Sequence, residues 1–275
     1  MKDLKFSVSM CVYGGDNPDW FKTATDSIIN QSVKPDEIVL VVDGPVPEKL
    51  DRIIKSYELL DFFKVIRLKK NMGHGEARRT GLKNCSNELV ALMDADDISV
   101  PDRFQRQLEV FQKNTDIDVC GGNITEFIDD PQNIVGVRNV PKEDKDIKEY
   151  LKKRCPMNQV TVMFKKARVD SVGGYIDWFC EEDYYLWLRM CLGNMKFANL
   201  SEFLVNVRVG KDMYGRRGGI KYFKSEARIQ KYMYDNKIIG AGTYVSNILK
   251  RFIVQVLMPN KLRGWVFKKF AREKS

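Results

Sequence analysis

The sequence predicts an α/β protein built on a mostly parallel sheet covered by helices. Two observations predict it. Over the first 130 residues short apolar strands alternate with helical segments, and the strands are near-continuous apolar runs, as strands buried on both faces must be. In such sheets ligands bind beyond the carboxyl ends of the strands, so those ends are where chemistry is sought.

The first strand is residues 6–13, followed by a helix over 18–31 with Asp16 or Asn17 near its cap and Pro18 in its first turn. A second strand (37–42) leads to a helix over 47–60, and a third (63–68) to a helix over 75–85. The fourth strand is 89–93; Pro101 opens a helix reaching residue 113, and residues 117–120 begin a fifth strand. From 129 to 154 the chain turns polar and the pattern loosens. A strand over 159–164, an amphipathic helix over 182–192 and a last strand over 203–208 complete the body, with no internal repeat or low-complexity segment.

At 275 residues, 44% hydrophobic and 30% charged, the chain has the composition of a globular protein with a substantial core, which excludes disorder, collagen and coiled coil as its main theme. No apolar run approaches the roughly 18 residues that span a bilayer. The start, Met1 to Lys5, enters the first strand without an apolar leader, so a cytoplasmic location is expected. The six cysteines show neither a CxxC pair nor a zinc spacing and read as reduced core thiols. With His74 the lone histidine, a base or metal ligand is more readily a carboxylate.

The net charge of +9 is uneven. From Arg208 onward 17 Lys/Arg face four acids, which leaves residues 1–207 at −4. Along the segment 248–271 and just beyond it, Trp265, Val266, Phe267 and Phe270 interleave with Lys261, Arg263, Lys268, Lys269 and Arg272. That pattern suits a helix lying in an anionic membrane interface. The alternative is a helix packing its apolar side on the body. Without a nucleic-acid motif or an aromatic-basic ladder on the acidic body, no nucleic-acid partner is expected.

Acidic groups stand at two strand ends: Asp43-Gly44 after the second strand and Asp94-Ala95-Asp96-Asp97 after the fourth. Three carboxylates so close repel one another unless a cation, a base or hydrogen-bond donors offset them. Hard oxygens at a D-x-D spacing suit Mg²⁺ or Mn²⁺ bridging to phosphates. An EF-hand fails, because Ser99 stands where its glycine belongs and Gln105 where its bidentate Glu belongs. The plainer reading is a solvated turn in which Asp97 or Ser99 caps the next helix. Glu181-Glu182-Asp183 opens a helix, where acids favour the dipole, or aims a carboxylate into the same cleft to take a proton. Gly73-His74-Gly75-Glu76-Ala77-Arg78 lacks the third glycine of a dinucleotide fingerprint. His74 reads as a turn or cleft-rim residue. Arg78 and Arg79 are either phosphate contacts or solvated helix-surface charges.

Taken in order, the segment 6–13, Asp43-Gly44, Asn71-Met72-Gly73 with Ala77-Arg78, Asp94 to Asp97 and Glu182 to Arg189 resemble the family 2 glycosyltransferases of GT-A fold. Within that family they are most similar to bacterial enzymes of capsule, exopolysaccharide or O-antigen assembly, the amylovoran type. The resemblance covers roughly residues 6–210, and the order and spacing of the motifs make it specific. It implies a GT-A domain over residues 1–210, with a nucleotide-binding half over about 1–115 and an acceptor-binding half over about 116–210, followed by a basic helical region over 211–275. It further implies a UDP-sugar donor lined by Cys11, Val12, Tyr13, Gly73, Arg78 and Ala95. Asp43 would read the uracil, Asp94 contact the nucleotide-sugar and Asp96 hold Mn²⁺ or Mg²⁺. Asp183 would be the catalytic base, with Glu182 and Asp97 as supporting or acceptor-side carboxylates. The departures are Cys11, where the family usually has proline, and Arg79, where it often has asparagine. The implied reaction is an inverting, single-displacement transfer of a hexose or N-acetylhexosamine to a lipid-diphosphate-linked saccharide. The basic region would hold the enzyme at the cytoplasmic face of the inner membrane. Two rivals are a sugar-1-phosphate nucleotidyltransferase, though the loop 13–18 carries no Lys or Arg for a triphosphate, and a non-catalytic, membrane-docked binder of nucleotide-sugars.

Overall fold

The computed structural model describes residues 4–210 and 218–259. Four parallel strands form its first half: β1 (Phe6–Tyr13) lies between β2 (Glu37–Asp43) and β4 (Leu89–Met93), and β3 (Phe63–Arg67) flanks β2. Between them run α1 (Pro18–Ile29), α2 (Glu48–Tyr57) and α3 (His74–Asn84). The two-residue β5 (Ile98–Ser99) and α4 (Arg103–Lys113) follow. The second half adds β6 (Val119–Phe127), β7 (Ile134–Arg138), α5 (Asp144–Leu151), β8 (Met163–Lys165), α6 (Lys166–Ser171), α7 (Glu182–Leu192) and β9 (Phe197–Arg208). The sheet order is β3-β2-β1-β4-β8-β6-β9-β5, with β7 on the side of β6.

Alternation along the strands divides the core. Val8, Met10 and Val12 of β1, Leu40 and Val42 of β2, and Ala91 and Met93 of β4 face one layer. There they meet Phe21 and Ile28 of α1, Leu50 of α2 and Phe104 of α4. Val39, Val90 and Leu92 point the other way, onto Leu82 of α3 and Trp187 and Leu188 of α7. The helix entering from β1 begins as the sequence implies: Asn17 accepts the backbone N–H groups of Asp19 at 2.9 Å and Trp20 at 3.2 Å, with Pro18 in the first turn.

The register places the candidate site. Tyr13 is level with Asp43 and Met10 with Met93, so β1, β2 and β4 deliver Tyr13, Asp43 and Asp94 to one edge. β9 runs parallel to β6, and its final residues pair antiparallel with β5, Ile98 opposite Asn206. The end of β9 is thereby brought to the turn that follows Asp94.

Several expected boundaries are corrected. The strand expected to begin at 117 is β6, which starts at Val119 and continues through Gly121-Gly122 to Phe127. Those glycines mark close packing: a Cβ on Gly122 would sit 2.6 Å from the Leu204 side chain. Residues 159–164 do not form one strand. Thr161 Oγ1 donates to the Asn158 carbonyl at 2.7 Å and accepts from Gly122 N–H at 3.0 Å, bonds that hold a 3₁₀ turn over Gln159–Thr161 before β8. The polar stretch 129–154 contains β7, half-exposed as an edge strand, and α5, which buries Ile147 and Leu151. The last strand begins at Phe197, six residues early, its period broken where the register against β6 shifts around Asn123. Of the expected core thiols only Cys85 and Cys120 are fully buried; Cys11, Cys155 and Cys191 are half-buried and Cys180 is exposed.

The described residues end with α8 (Ile220–Asp235), α9 (Ala241–Phe252) and a π-helical turn over Ile253–Leu257. The amphipathic segment expected over 248–271 is helical through residue 257, and 260–275, like 211–217, lies outside the described residues. Among the described residues no helix is long and apolar enough to cross a membrane.

Phe104, fully buried with its ring centroid 4.9 Å from that of Phe6, supports the sheet beneath the site. Phe104→Ala is expected to lower unfolding free energy by about 3–5 kcal/mol in urea denaturation, whereas Leu59→Ser, on an exposed side chain, should stay within about 0.5 kcal/mol of the parent.

Candidate active site

The site is assembled at the carboxyl ends of β1, β2 and β4 and the N-termini of α3 and α7. Asp43 ends β2, and both its oxygens hold the loop before α3: Oδ1 accepts Met72 N–H at 2.6 Å and Oδ2 accepts Gly73 N–H at 3.0 Å. Gly44 permits this approach, since with φ +87° a Cβ there would lie 2.5 Å from the Asn71 nitrogen. Cys11 is half-buried and its thiol pushed up to about 12 by burial, so it is a neutral wall; Val12 is buried and Tyr13 exposed. Gly73 is half-buried at the head of α3, whereas Ala95 is buried and its methyl belongs to the core layer of Val12 and Met93.

Arg78 is the charge at the centre. It is buried on the first turns of α3, and its Nη2 donates to Asp94 Oδ1 at 2.9 Å. Burial alone would raise the Asp94 carboxyl, but the Arg78 guanidinium outweighs it and holds Asp94 below the usual carboxylate range. Of the two readings of Arg78, the solvated surface charge is therefore overturned. Arg79 is the exposed one, and it pairs with Glu76.

The next two acids lie in the opposite regime. Burial, then the charges of Asp94 and Asp16, push Asp96 up to about 6. Asp97 is raised well above its ordinary value by burial and by Asp96 and Asp94. Neither Asp97 nor Ser99 caps the following helix. Asp97 Oδ1 instead accepts Arg208 N–H at 2.8 Å, while Ser99 lies in β5 beside Gln31 at 3.3 Å. Arg208 also donates from Nε to the Asp96 carbonyl at 3.2 Å and stacks over Trp20 and Phe127, both 4.6 Å from its guanidinium carbon. In the sequence Arg208 was only the first residue of the basic stretch. No local motif marks it, because its partners are about a hundred residues away.

From the other side α7 presents its acids. Glu182 Oε1 lies 3.5 Å from His74 Nδ1, which puts His74 at the cleft rim as expected. Burial works to raise Glu182, but the His74 hydrogen bond and the Arg78 charge bring it below its usual range. Asp183 is pushed up to about 6 by burial and by Glu182; its Oδ1 accepts the Tyr184 N–H at 2.6 Å, and Cys155 Sγ lies 3.9 Å from Oδ2. Glu181 is buried, and burial with the nearby Glu226 and Asp183 raises it well above normal. Asp16, which accepts Tyr13 N–H at 2.9 Å and adds to the crowding around Asp96, is a further acid for which the sequence offered only a capping role.

The arrangement is a cleft with paired, ionised carboxylates near Arg78 and two carboxyls, Asp96 and Asp183, poised near 6. No group of three or more metal-ligating side chains is present among the described residues. The donor set fits a hard cation that takes one or two carboxylates and completes its shell with substrate phosphate oxygens and water.

A parallel sheet with this acidic turn at its ligand end is the architecture of GT-A glycosyltransferases. The fold superposes on S. aureus TarS 1–349, crystallised with UDP-GlcNAc, with a TM-score of 0.67 over 91% of this chain and 73% of that one, at 17% identity. The model of the family described as Glycosyl transferase family 2 matches residues 7–170, and the chain belongs to that family. It is 36% identical over 268 residues, 98% of this chain and 97% of the other, to the Escherichia coli UDP-Gal:alpha-D-GlcNAc-diphosphoundecaprenol beta-1,3-galactosyltransferase. It is 33% identical over 264 residues, 96% of this chain and 98% of the other, to the amylovoran biosynthesis glycosyltransferase AmsE of Erwinia amylovora.

Because Asp96 is raised from 3.8 to about 6, the folded state holds a proton that the unfolded chain releases across that window. This penalty on the metal-free fold is small below pH 4 and complete above pH 6. Asp96→Asn should therefore raise the melting temperature at pH 7.5 by a few degrees and change it little at pH 4, as read by calorimetry without divalent cations.

Proposed function

We propose that this glycosyltransferase moves a hexose or N-acetylhexosamine from a UDP-sugar to a hydroxyl of a lipid-diphosphate-linked saccharide, with inversion, in cell-surface polysaccharide assembly. The observation that carries the reading is the meeting of acids from both halves of the fold at the head of α3, where Arg78 pairs with the strand-end Asp94 at 2.9 Å and His74 lies 3.5 Å from the α7 acid Glu182. The E. coli relative, whose name describes a UDP-sugar donor and a diphosphoundecaprenol-linked acceptor, supports the substrate classes.

In this reading Asp43 accepts the uracil ring N–H. Its oxygens already hold two backbone N–H groups, yet each retains a lone pair. Cys11, Val12, Tyr13, Gly73 and Ala95 line the nucleotide, and Asp94 with Arg78 contacts the sugar-diphosphate. Asp96 would hold Mn²⁺ or Mg²⁺, which when bound offsets charge on the diphosphate. Asp183 removes the proton of the acceptor hydroxyl as that oxygen attacks the anomeric carbon. The bond from that carbon to the diphosphate oxygen breaks on the opposite face, and UDP departs with the electron pair. One displacement inverts the configuration, so an α-linked donor yields a β-linkage. Glu182 and Asp97 support the two sides, Glu182 by steering the acceptor and Asp97 by fixing the end of β9. The basic C-terminal region keeps the enzyme peripheral on the cytoplasmic face of the membrane. A nucleotidyltransferase is disfavoured by the absence of Lys or Arg in the loop after β1.

Asp183→Asn tests the base: transfer should fall by about 10²–10⁴-fold while UDP binding is retained, and unchanged transfer would refute the assignment. In the parent, kcat/KM should decline as pH is lowered through about 6, where Asp183 takes up its proton. UDP and Mn²⁺ together, at about 100 times the Kd, should stabilise the fold by about 2.7 kcal/mol. That increment should require both components and vanish in Asp96→Ala. An equal shift with every nucleoside diphosphate would count against the uracil contact.

A further inference from the structure

Helix α9 is packed inside out. The most buried positions of α9 and of the π-helical turn that continues it are polar: Asn247 and Gln255 are 7% and 5% exposed, with Arg251 between them in the i, i+4, i+8 series, and Tyr244 alone packs beside the core from the first turn. Asn247 donates to the Lys152 carbonyl at 3.1 Å and to Gln230 Oε1 at 2.8 Å, and Arg251 pairs with Glu226 of α8 and donates to the Lys153 carbonyl at 2.9 Å. The outward positions of α9 and the turn are apolar: Val245, Leu249, Ile253 and Leu257, at the same spacing, are 53%, 56%, 52% and 62% exposed, and Phe252 borders them. An ordinary surface helix has the reverse arrangement. With the inward face tied to α8 and to the Lys152 and Lys153 carbonyls by hydrogen bonds, the outward stripe is left to face a second apolar medium.

We propose that this stripe is the surface by which the protein lies on an anionic lipid bilayer. Charge selects the occupant. Over residues 218–259 seven Lys/Arg accompany two acids, with Lys221, Lys224 and Lys250 exposed around α8 and α9, and the sequence beyond continues with six Lys/Arg and one acid. A second copy would bring the same surplus into contact with itself, whereas anionic headgroups neutralise it. The inward face then has a use. Through Gln230 and Glu226, α9 is tied to α8, and α8 in turn holds the loop before α7, Ser225 Oγ donating to the Phe179 carbonyl at 2.5 Å. Docking the stripe therefore sets Glu181 to Asp183 at a defined height above the membrane. This purpose rests on the proposed lipid-linked acceptor; the docking itself does not.

The test uses the full chain in flotation with phosphatidylglycerol-containing vesicles and with phosphatidylcholine vesicles. The parent should float with the first and little with the second. Leu249→Glu with Ile253→Glu should lower the vesicle-bound fraction by about ten-fold or more, with an unchanged melting temperature and an unchanged UDP-dependent shift. Leu249→Ala with Ile253→Ala, a gentler pair, should give an intermediate loss. Equal flotation of parent and variants would overturn the proposal. So would a lipid-independent dimer that the substitutions dissociate, or a large fall in melting temperature, which would mean that protein covers the stripe. Retained UDP binding without flotation would reject this surface and leave the transferase reading standing.

Discussion

Like charge packed into a small space is the constraint from which the rest of this structure follows. Asp94, Asp96 and Asp97 lie within four residues, with Asp16 close by, in a partly buried turn where carboxylates repel strongly. Two arginines from distant parts of the chain make the turn possible. Arg78 arrives on α3 and neutralises Asp94; Arg208 arrives at the end of β9 and holds Asp97 through its backbone N–H and the Asp96 carbonyl through its side chain. The long β9, its pairing with the short β5 and the burial of α3 against β1 and β2 all serve to deliver those two residues.

The same arginine separates the carboxyls into two kinds. Asp94 and Glu182, which feel Arg78 most directly, are held ionised; Asp96 and Asp183, one residue or two further along, are raised toward 6 by burial and by those ionised neighbours. Neighbouring acids whose environments push them apart in this way are the usual means of dividing fixed charge from exchangeable protons within one cleft. Carboxyls raised in this way cost a fold stability at neutral pH, where they must ionise against their surroundings.

The C-terminal helices extend this logic outward. α9 hydrogen-bonds its polar face to the body and leaves its apolar face exposed. The apolar face of α9 and the acid-bearing loop before α7 are consequently mechanically linked, through hydrogen bonds that no helical periodicity announces.

By itself the sequence determined the parallel half of the sheet, because strands buried on both faces must be continuous apolar runs and the intervening helices carry strong start signals such as Asn17-Pro18. It also determined which carboxylates stand at strand ends, since that position follows from the strand boundary alone. Only the tertiary structure decided the second half. There edge strands, a 3₁₀ turn fastened by Thr161 and a register shift near Asn123 obey contacts between distant segments rather than local period. It alone decided that Arg78 is buried while Arg79 is solvated, although the two are adjacent, because a helix turns successive side chains about 100° apart and only one of them can face Asp94. It likewise decided the roles of Arg208 and the inverted α9. Long-range pairing selects the partner of a buried charge, and no local pattern encodes that partner.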